Sequence, residues 1–244
     1  MWARQQIAGS DVNYDSWKQK RASLVDLSAA SRSCIFTVDV YREVYDYASD
    51  CFEDVLGVRS TLLKNIERHG DLIEDLIHND DRDKLLDLQV GHGQFIYSLP
   101  PGERNDYRTI YQVRMRGAGG RYINVIIRNQ VVETDRNGKA WIIMGMMEVA
   151  PDQTPADRLK CSVLNLKTGL FFNPYAANKS RTLTGRELEI LSFIGQGYLS
   201  KEIAGRLGLS IYTINNHRKS ILAKLDADNA IEAINTARSA GVMD

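Results

Sequence analysis

The chain of 244 residues carries no excess of either charge, with 31 lysines and arginines against 31 aspartates and glutamates. Overall charge therefore recruits no polyanion, and any nucleic-acid binding needs a local basic patch. Long apolar runs are also lacking. The densest, "WIIMGMMEV", falls far short of the roughly 20 residues that span a bilayer as a helix. The opening "MWARQQIAGSDVNYD" has no apolar core of the kind a signal peptide carries. Cysteine is scarce: Cys34, Cys51 and Cys161 stand far apart with no C-x-x-C pair, against both a disulfide framework and a cysteine-rich zinc site. Internal repeats and low-complexity tracts are absent. With 43% apolar and 25% charged residues, the composition predicts a soluble protein of a reducing cytoplasm, sized for one large domain or two ordinary ones.

Signatures of catalysis are missing too. No nucleophile–base pair, metal set or phosphate loop stands at a recognisable spacing. "GAGG" (117–120) is a turn between strands and lacks the strand-to-helix context of a dinucleotide site. The expectation is a protein that is not an enzyme, with no identifiable cofactor.

The first 30 residues are of mixed polarity and predict partly helical structure, with Trp17, Leu24 and Leu27 as candidate buried positions. "CIFTVDV" and "EVYDYAS" are rich in β-branched and aromatic residues and read as strands. "DCFEDVLG" reads as a short helix stopped at Gly57. Two helical pieces follow over 60–90, interrupted by "IHNDDR". In "YRTIYQVRMR", Tyr111, Val113 and Met115 alternate with Gln112, Arg114 and Arg116, the period of a half-buried strand. "RYINVIIRNQVVE" and "KAWIIMGMMEVA" follow across "GAGG" and the hairpin signal Asn137-Gly138. Beyond the linker that starts at Pro151, "SVLNLKTGLFF" predicts a small hairpin, and "NPYAANKSRT" a second linker.

From there the pattern is helical to the C-terminus. A T-x-x-E capping box, Thr184 to Glu187, opens a helix that buries Leu188, Leu191 and Ile194. A second helix, Ser200 to Leu207, buries Ile203, Ala204 and Leu207 and ends at Gly208. Ser210 is a good N-cap for a third. At 100° per residue its Ile214, Ile221, Leu222 and Leu225 share one face, with His217 as a packing residue on the edge. Tyr212, Asn216, Lys219 and Ala223 point the other way, flanked by Asn215 and Thr213. A fourth helix, capped by Asp228, carries Ile231, Ile234 and Ala237. Two short helices joined by a glycine-containing turn form a helix-turn-helix.

Asparagine is a poor helix former, so Asn215 and Asn216 at exposed mid-helix sites cost stability without structural return. Their amides match N6 and N7 of adenine in the major groove, and Lys219 suits guanine O6/N7 or a phosphate. Ser210, Thr213, Arg218 and the helix N-terminus can hold phosphates. Between Ser200 and Leu225, five basic residues (Lys201, Arg206, Arg218, Lys219, Lys224) meet one acid, Glu202, a balance of +4 inside a neutral chain. Lys224 and Arg206 read as solvated charges rather than base readers.

The stretch "LTGRELEILSFIGQGYLSKEIAGRLGLSIYTINNHRKSILAKLDADNAIEA" resembles the LuxR-type (NarL/FixJ-type) helix-turn-helix domain of bacterial transcription regulators. It has LTxRE, KEIA, SxxT, the apolar-x-x-His and KL in order, from 183 to about 240. The resemblance implies that Asn215, Asn216 and Lys219 face bases. It implies backbone contacts among Lys201, Ser210, Thr213 and Arg218, to which the outward-pointing Tyr212 is added. Its partners would be double-stranded DNA, a second copy of the chain and the transcription machinery, with no membrane. One departure is Leu199-Ser200 before KEIA, where Ser-Asn is common, which puts the second helix's cap in question.

Residues 33–150 resemble a PAS domain: a strand pair, a short helix ending in Leu-Gly, the element from His78 to Arg82 and three closing strands. That implies a five-stranded antiparallel sheet with helices over one face, which senses a small molecule or serves dimerisation. Both uses stay open. Tyr111, Met115, Trp141 and Met144 are the candidate lining of a ligand pocket, ordinary core being the plainer reading. No cysteine sits in a flavin-adduct motif. A haem would need an axial ligand, and His69, His78 and His92 read instead as loop, surface or helix-boundary residues. Arg114 and Arg116 read as the solvated face of a strand. The fold class is thus α+β: a helical lead-in (1–33), a PAS-like domain (34–150), a linker with a small hairpin (151–180) and a four-helix DNA-binding domain (181–244).

Overall fold

The computed structural model describes residues 7–31, 33–64, 71–154, 159–173, 183–240 and 242–243. The chain divides into two compact units, Met1–Cys161 and Ser162–Asp244.

In the first unit, helix α1 (Tyr14–Ser31) precedes strands β1 (Cys34–Asp39) and β2 (Val44–Ala48), and short helices α2 (Cys51–Leu56), α3 (Ser60–Lys64) and α4 (Asp71–Glu74). The longer α5 (Asn79–Ser98) and a 3-10 turn (Pro101–Asp106) lead into β3 (Tyr107–Arg116), β4 (Tyr122–Thr134) and β5 (Ala140–Val149). These five strands run antiparallel in the order β2-β1-β5-β4-β3, as the PAS resemblance implies, but the sheet counts seven strands among the described residues, two more than expected. Gly57 stops α2 with φ +71°, a left-handed conformation that favours glycine.

Register sorts the side chains onto two faces. Phe36 pairs with Gly145, which pairs with Asn129, which pairs with Thr109. This face meets α2, through Phe52 against Phe36 at 6.1 Å, and α5, through a hydrogen bond between His92 and Thr109. On the opposite face, Thr37 pairs with Tyr47 and with Met144. There α1 docks, Ser28 hydrogen-bonding the Tyr47 hydroxyl. Helices therefore cover both faces, not one. Gly145 is required where it stands, because a Cβ would lie 2.0 Å from the Phe36 ring that crosses it.

Four expectations need correction here. Leu27 is exposed, because α1 turns Tyr14, Trp17, Leu24 and Ser28 inward and Leu27 lies about 100° off that stripe. "IHNDDR" falls at the expected break between helical pieces, after α4, but its last four residues already belong to α5: His78 is the N-cap, accepting the Asp80 N–H at 3.3 Å. His92 is a buried core residue, and its desolvated ring is held neutral, its pKa lowered to about 4. His69 lies outside the described residues. Arg114 is no solvated side chain: it donates to both Asp81 carboxylate oxygens, at 3.0 and 2.7 Å. Asp81 also accepts the Arg114 backbone N–H at 3.1 Å. Burial pulls the Asp81 carboxyl upward, but these bonds outweigh it and hold it below its ordinary range. The first turn of α5 is thereby tied to β3. Cys34 and Cys51, far apart in sequence terms, are brought together as thiols, Cys34 Sγ donating to Cys51 Sγ at 2.7 Å.

The predicted pocket lining does not converge. Tyr111 and Met115 share the α5-facing side with Ile127 and Met147. Met144 points the other way with Thr37 and Gln130. Trp141 packs edge-on against Tyr14 of α1 at 5.1 Å.

Strand β6 (Lys160–Asn165), which begins in the last two residues of the first unit, and β7 (Phe171–Phe172) of the second form the expected hairpin. Helices α6 (Gly185–Gly195), α7 (Ser200–Leu207), α8 (Ile211–Leu225) and α9 (Ala230–Ser239) follow. The hairpin does not stand free as linker. Asn173 donates its backbone N–H to the Thr236 hydroxyl at 3.0 Å, and the Asn235 amide donates to the Phe171 carbonyl at 3.1 Å, so it clasps α9. The core of this unit is Ile190, Leu191, Ile203, Ile214, Ile221 and Leu225, with Ala233 and Ala237 from α9. Leu188 and Ile194 are only partly buried, and Ile190 takes the central place expected of them.

Candidate nucleic-acid interface

The caps that delimit α7 and α8 also place the exposed polar groups. Thr184 and Glu187 form the complete capping box of α6. At α7, Leu199 has no side-chain acceptor, and half a box survives: the Leu199 N–H donates to Glu202 Oε2 at 2.8 Å. Gly208 ends α7 with φ +65°. Two residues later Ser210 caps α8, its hydroxyl accepting the Thr213 N–H at 3.0 Å. The Ser210 and Thr213 hydroxyls share one further hydrogen bond at 2.8 Å. One hydroxyl hydrogen of the two is therefore left to donate outward. For α9 the cap is Asn229, which accepts the Glu232 N–H. The expected cap, Asp228, instead donates its backbone N–H to the Glu232 carboxylate.

Helix α8 is divided as its periodicity predicts. Ile214, Ile221 and Leu225 are buried at 0–1% exposure, while Leu222 and His217 are half-buried on the edge. Asn215, Asn216, Lys219 and Ala223 are exposed, and Tyr212 is 76% exposed. Thr213 and Arg218 are half-buried beside them, and Lys201 is exposed in the first turn of α7. Ser210, Tyr212, Asn215, Asn216 and Lys219 thus share the open side of one helix, and Lys201 lies at the start of its neighbour.

The basic cluster is smaller than the count suggests. Lys224 donates to Glu187 at 2.7 Å, and Arg206 stacks over the Tyr198 ring at 4.3 Å. Lys224 is thus ion-paired and no solvated charge, whereas Arg206 stays exposed at the surface, as its sequence context predicts. Among the described residues, Lys201, Arg206, Arg218 and Lys219 make no ion pair, which leaves four cations for an anionic partner.

Glu187, read from sequence as a capping residue alone, is a junction. Its side chain is 4% exposed and accepts from the Thr184 N–H at 2.7 Å, Ser220 Oγ at 2.7 Å and Lys224 Nζ at 2.7 Å. Burial would raise its pKa, but the bonds from Lys224, the Thr184 backbone and Ser220 win and hold it at about 2. A carboxyl depressed in the fold stabilises above its unfolded pKa, and that contribution is lost as pH falls. Thermal melts of the full chain are expected to show Glu187 stabilising by about 2 kcal/mol near neutrality, allowing for the solvent around Lys224. That advantage over Glu187→Gln should vanish between about pH 4.5 and about pH 2, the window set by the two pKa values. An advantage that stays constant through that window would contradict the assignment.

Two exposed apolar residues were not foreseen as part of this surface. Leu199 and Ile211 stand at the heads of α7 and α8, 68% and 46% exposed. Only Leu199, in place of the usual cap serine, carried a hint of it.

Geometry alone makes this a helix-turn-helix: α7, a tight glycine turn, and α8 with a buried apolar stripe and an open polar face. Residues 181–237 match the family of bacterial regulatory proteins, luxR family, and this domain is a luxR-type helix-turn-helix. Among curated relatives, the uncharacterized response regulatory protein YgeK of Escherichia coli K12 is 50% identical over 60 residues, 25% of this chain and 41% of that protein. The transcriptional regulatory protein DesR of Bacillus subtilis is 38% identical over 64 residues, 26% of this chain and 32% of that one. The chain thus spans less than half the length of either. Among solved structures, the phage VqmA–DPO complex aligns over 94% of this chain and 91% of its own at 19% identity and TM-score 0.38. The Vibrio cholerae VqmA dimer aligns over 87% and 85% at 17% identity and TM-score 0.33.

Proposed function

We propose that the chain is a sequence-specific transcription regulator of the cytoplasm, a homodimer on double-stranded DNA rather than an enzyme. The observation that carries this reading is the exposed Asn215-Asn216-Lys219 face opposite the buried Ile214, Ile221 and Leu225. In this reading α8 enters the major groove. Asn215 and Asn216 pair with base edges and Lys219 with a guanine or a phosphate. Lys201, Ser210, Tyr212, Thr213 and Arg218 grip the backbone and set register. Leu199 and Ile211 suit thymine methyls and sugars at the groove's rim.

One such helix covers few base pairs, and two-fold symmetric proteins read half-sites about 10 bp apart. On α9, Ile231 is 69% exposed, an apolar side chain free to meet a second copy. The N-terminal domain would govern how the two helix-turn-helix domains are presented. A sensing role is supported by polar groups on its α5-facing sheet surface, where the buried Asn129 Oδ1 has no hydrogen-bond partner among the described residues. Mass analysis of small molecules extracted from the purified protein separates sensing from dimerisation alone. No group of three or more metal-ligating side chains gathers among the described residues. No described helix is long and apolar enough to cross a membrane.

Mapping the genomic DNA bound in cells tests the reading. A recurring two-fold motif near promoters is the expected result, and sites with no shared sequence would contradict it. Analytical ultracentrifugation on a duplex carrying that motif should give two chains per site. A strictly monomeric complex would refute the dimer.

A further inference from the structure

Resting on the DNA-binding reading, we propose that Glu187 is the positioning residue of the reading helix: through Ser220 and Lys224 it fixes the rotation of α8, and with it the base preference of Asn216. Glu187 belongs to α6, which carries none of the groups assigned to DNA. Yet its two carboxylate oxygens grip α8 at points one turn apart, Ser220 Oγ on Oε1 and Lys224 Nζ on Oε2, both at 2.7 Å. On its own side, the carboxylate is locked by the N–H and hydroxyl of Thr184, at 2.7 and 3.0 Å. The anchor is therefore rigid at one end and two-pronged at the other.

The position of the prongs matters. Ser220 follows Asn216 by four residues, so the two lie about 40° apart around α8. The buried stripe of Ile214, Ile221 and Leu225 opposes translation of the helix, but apolar contacts are non-directional and resist small rotations weakly. A rotation of about 20° would move a side-chain tip 5–6 Å from the axis by roughly 2 Å. That exceeds the tolerance of a bidentate hydrogen bond. Directional bonds from Glu187 are what the fold supplies against this motion. They also hold Lys224 back from the DNA, so that its charge does not add sequence-blind attraction.

Two affinities of the full-length protein separate this role from simple stabilisation: for its mapped site and for scrambled DNA, each over a range of salt. Glu187→Gln removes a negative charge and loosens Lys224. Binding to scrambled DNA should strengthen, with a steeper salt dependence, while binding to the site weakens. The ratio of the two should fall roughly tenfold. A residue that merely stabilised the domain would lower both affinities together and leave the ratio and the salt slope alone, and that outcome would overturn the proposal. Ser220→Ala changes no charge and should leave scrambled-DNA binding as it was while weakening the site about threefold. It decides the matter if Glu187→Gln does not fold, and an unchanged ratio there also overturns it. Wild-type protein showing no preference for its mapped site would instead refute the DNA reading itself.

Discussion

Ile214→Ala should unfold much of the C-terminal unit. Its side chain is fully buried at the centre of the helical core, against Ile190, Leu191, Ile203 and Ile221. Truncation there removes apolar contact and leaves a cavity, at a cost of about 2–5 kcal/mol. A helical unit of this size commands only a few kcal/mol in total. Urea unfolding followed by far-UV circular dichroism should therefore show the helical signal melting at much lower denaturant. DNA binding should fall for every sequence alike, because the loss is in folded protein. A midpoint within error of wild type would mean that the stripe is not the core it is taken for.

Asn216→Ala, two residues along the same helix, should do the reverse. Asn216 is exposed, and alanine is the better helix former, so stability should hold or rise slightly. If the amide reads a base, specific binding should drop by about 1–3 kcal/mol, with preference relaxed at one position. Arg218→Ala supplies the contrast. As a phosphate contact it should weaken binding to all sequences and flatten the salt dependence. Titrations of both variants at two salt concentrations measure the difference.

What the sequence could disclose followed from local rules. The outward and inward faces of α8, the stop at Gly208, the Ser210 cap and the alternation of β3 all depend on neighbours within a turn or two, and each appears as expected. The misreadings involve partners distant in the chain. Lys224 looked solvated because Glu187, 37 residues earlier, lay outside the charge count around it. Arg114 looked solvated because its carboxylate is Asp81, 33 residues away. His92 resembled a surface residue until α5 ran unbroken through Gly91 and Gly93 and turned it onto Thr109. The pocket set failed by parity: Met144 and Tyr111 are both on apolar strands, but only pairing register reveals that they face opposite ways. Leu199 shows the limit of a motif. The cap serine is missing, and backbone and Glu202 sustain the turn without it.

The claim that the open face of α8 reads bases is tested most directly by selecting binding sites from random duplex DNA with the full-length wild type and with Asn216→Ala. The account predicts that wild type enriches a two-fold motif and that the variant enriches the same motif with one position per half-site relaxed. An identical motif, with all positions equally defined in both selections, would contradict it.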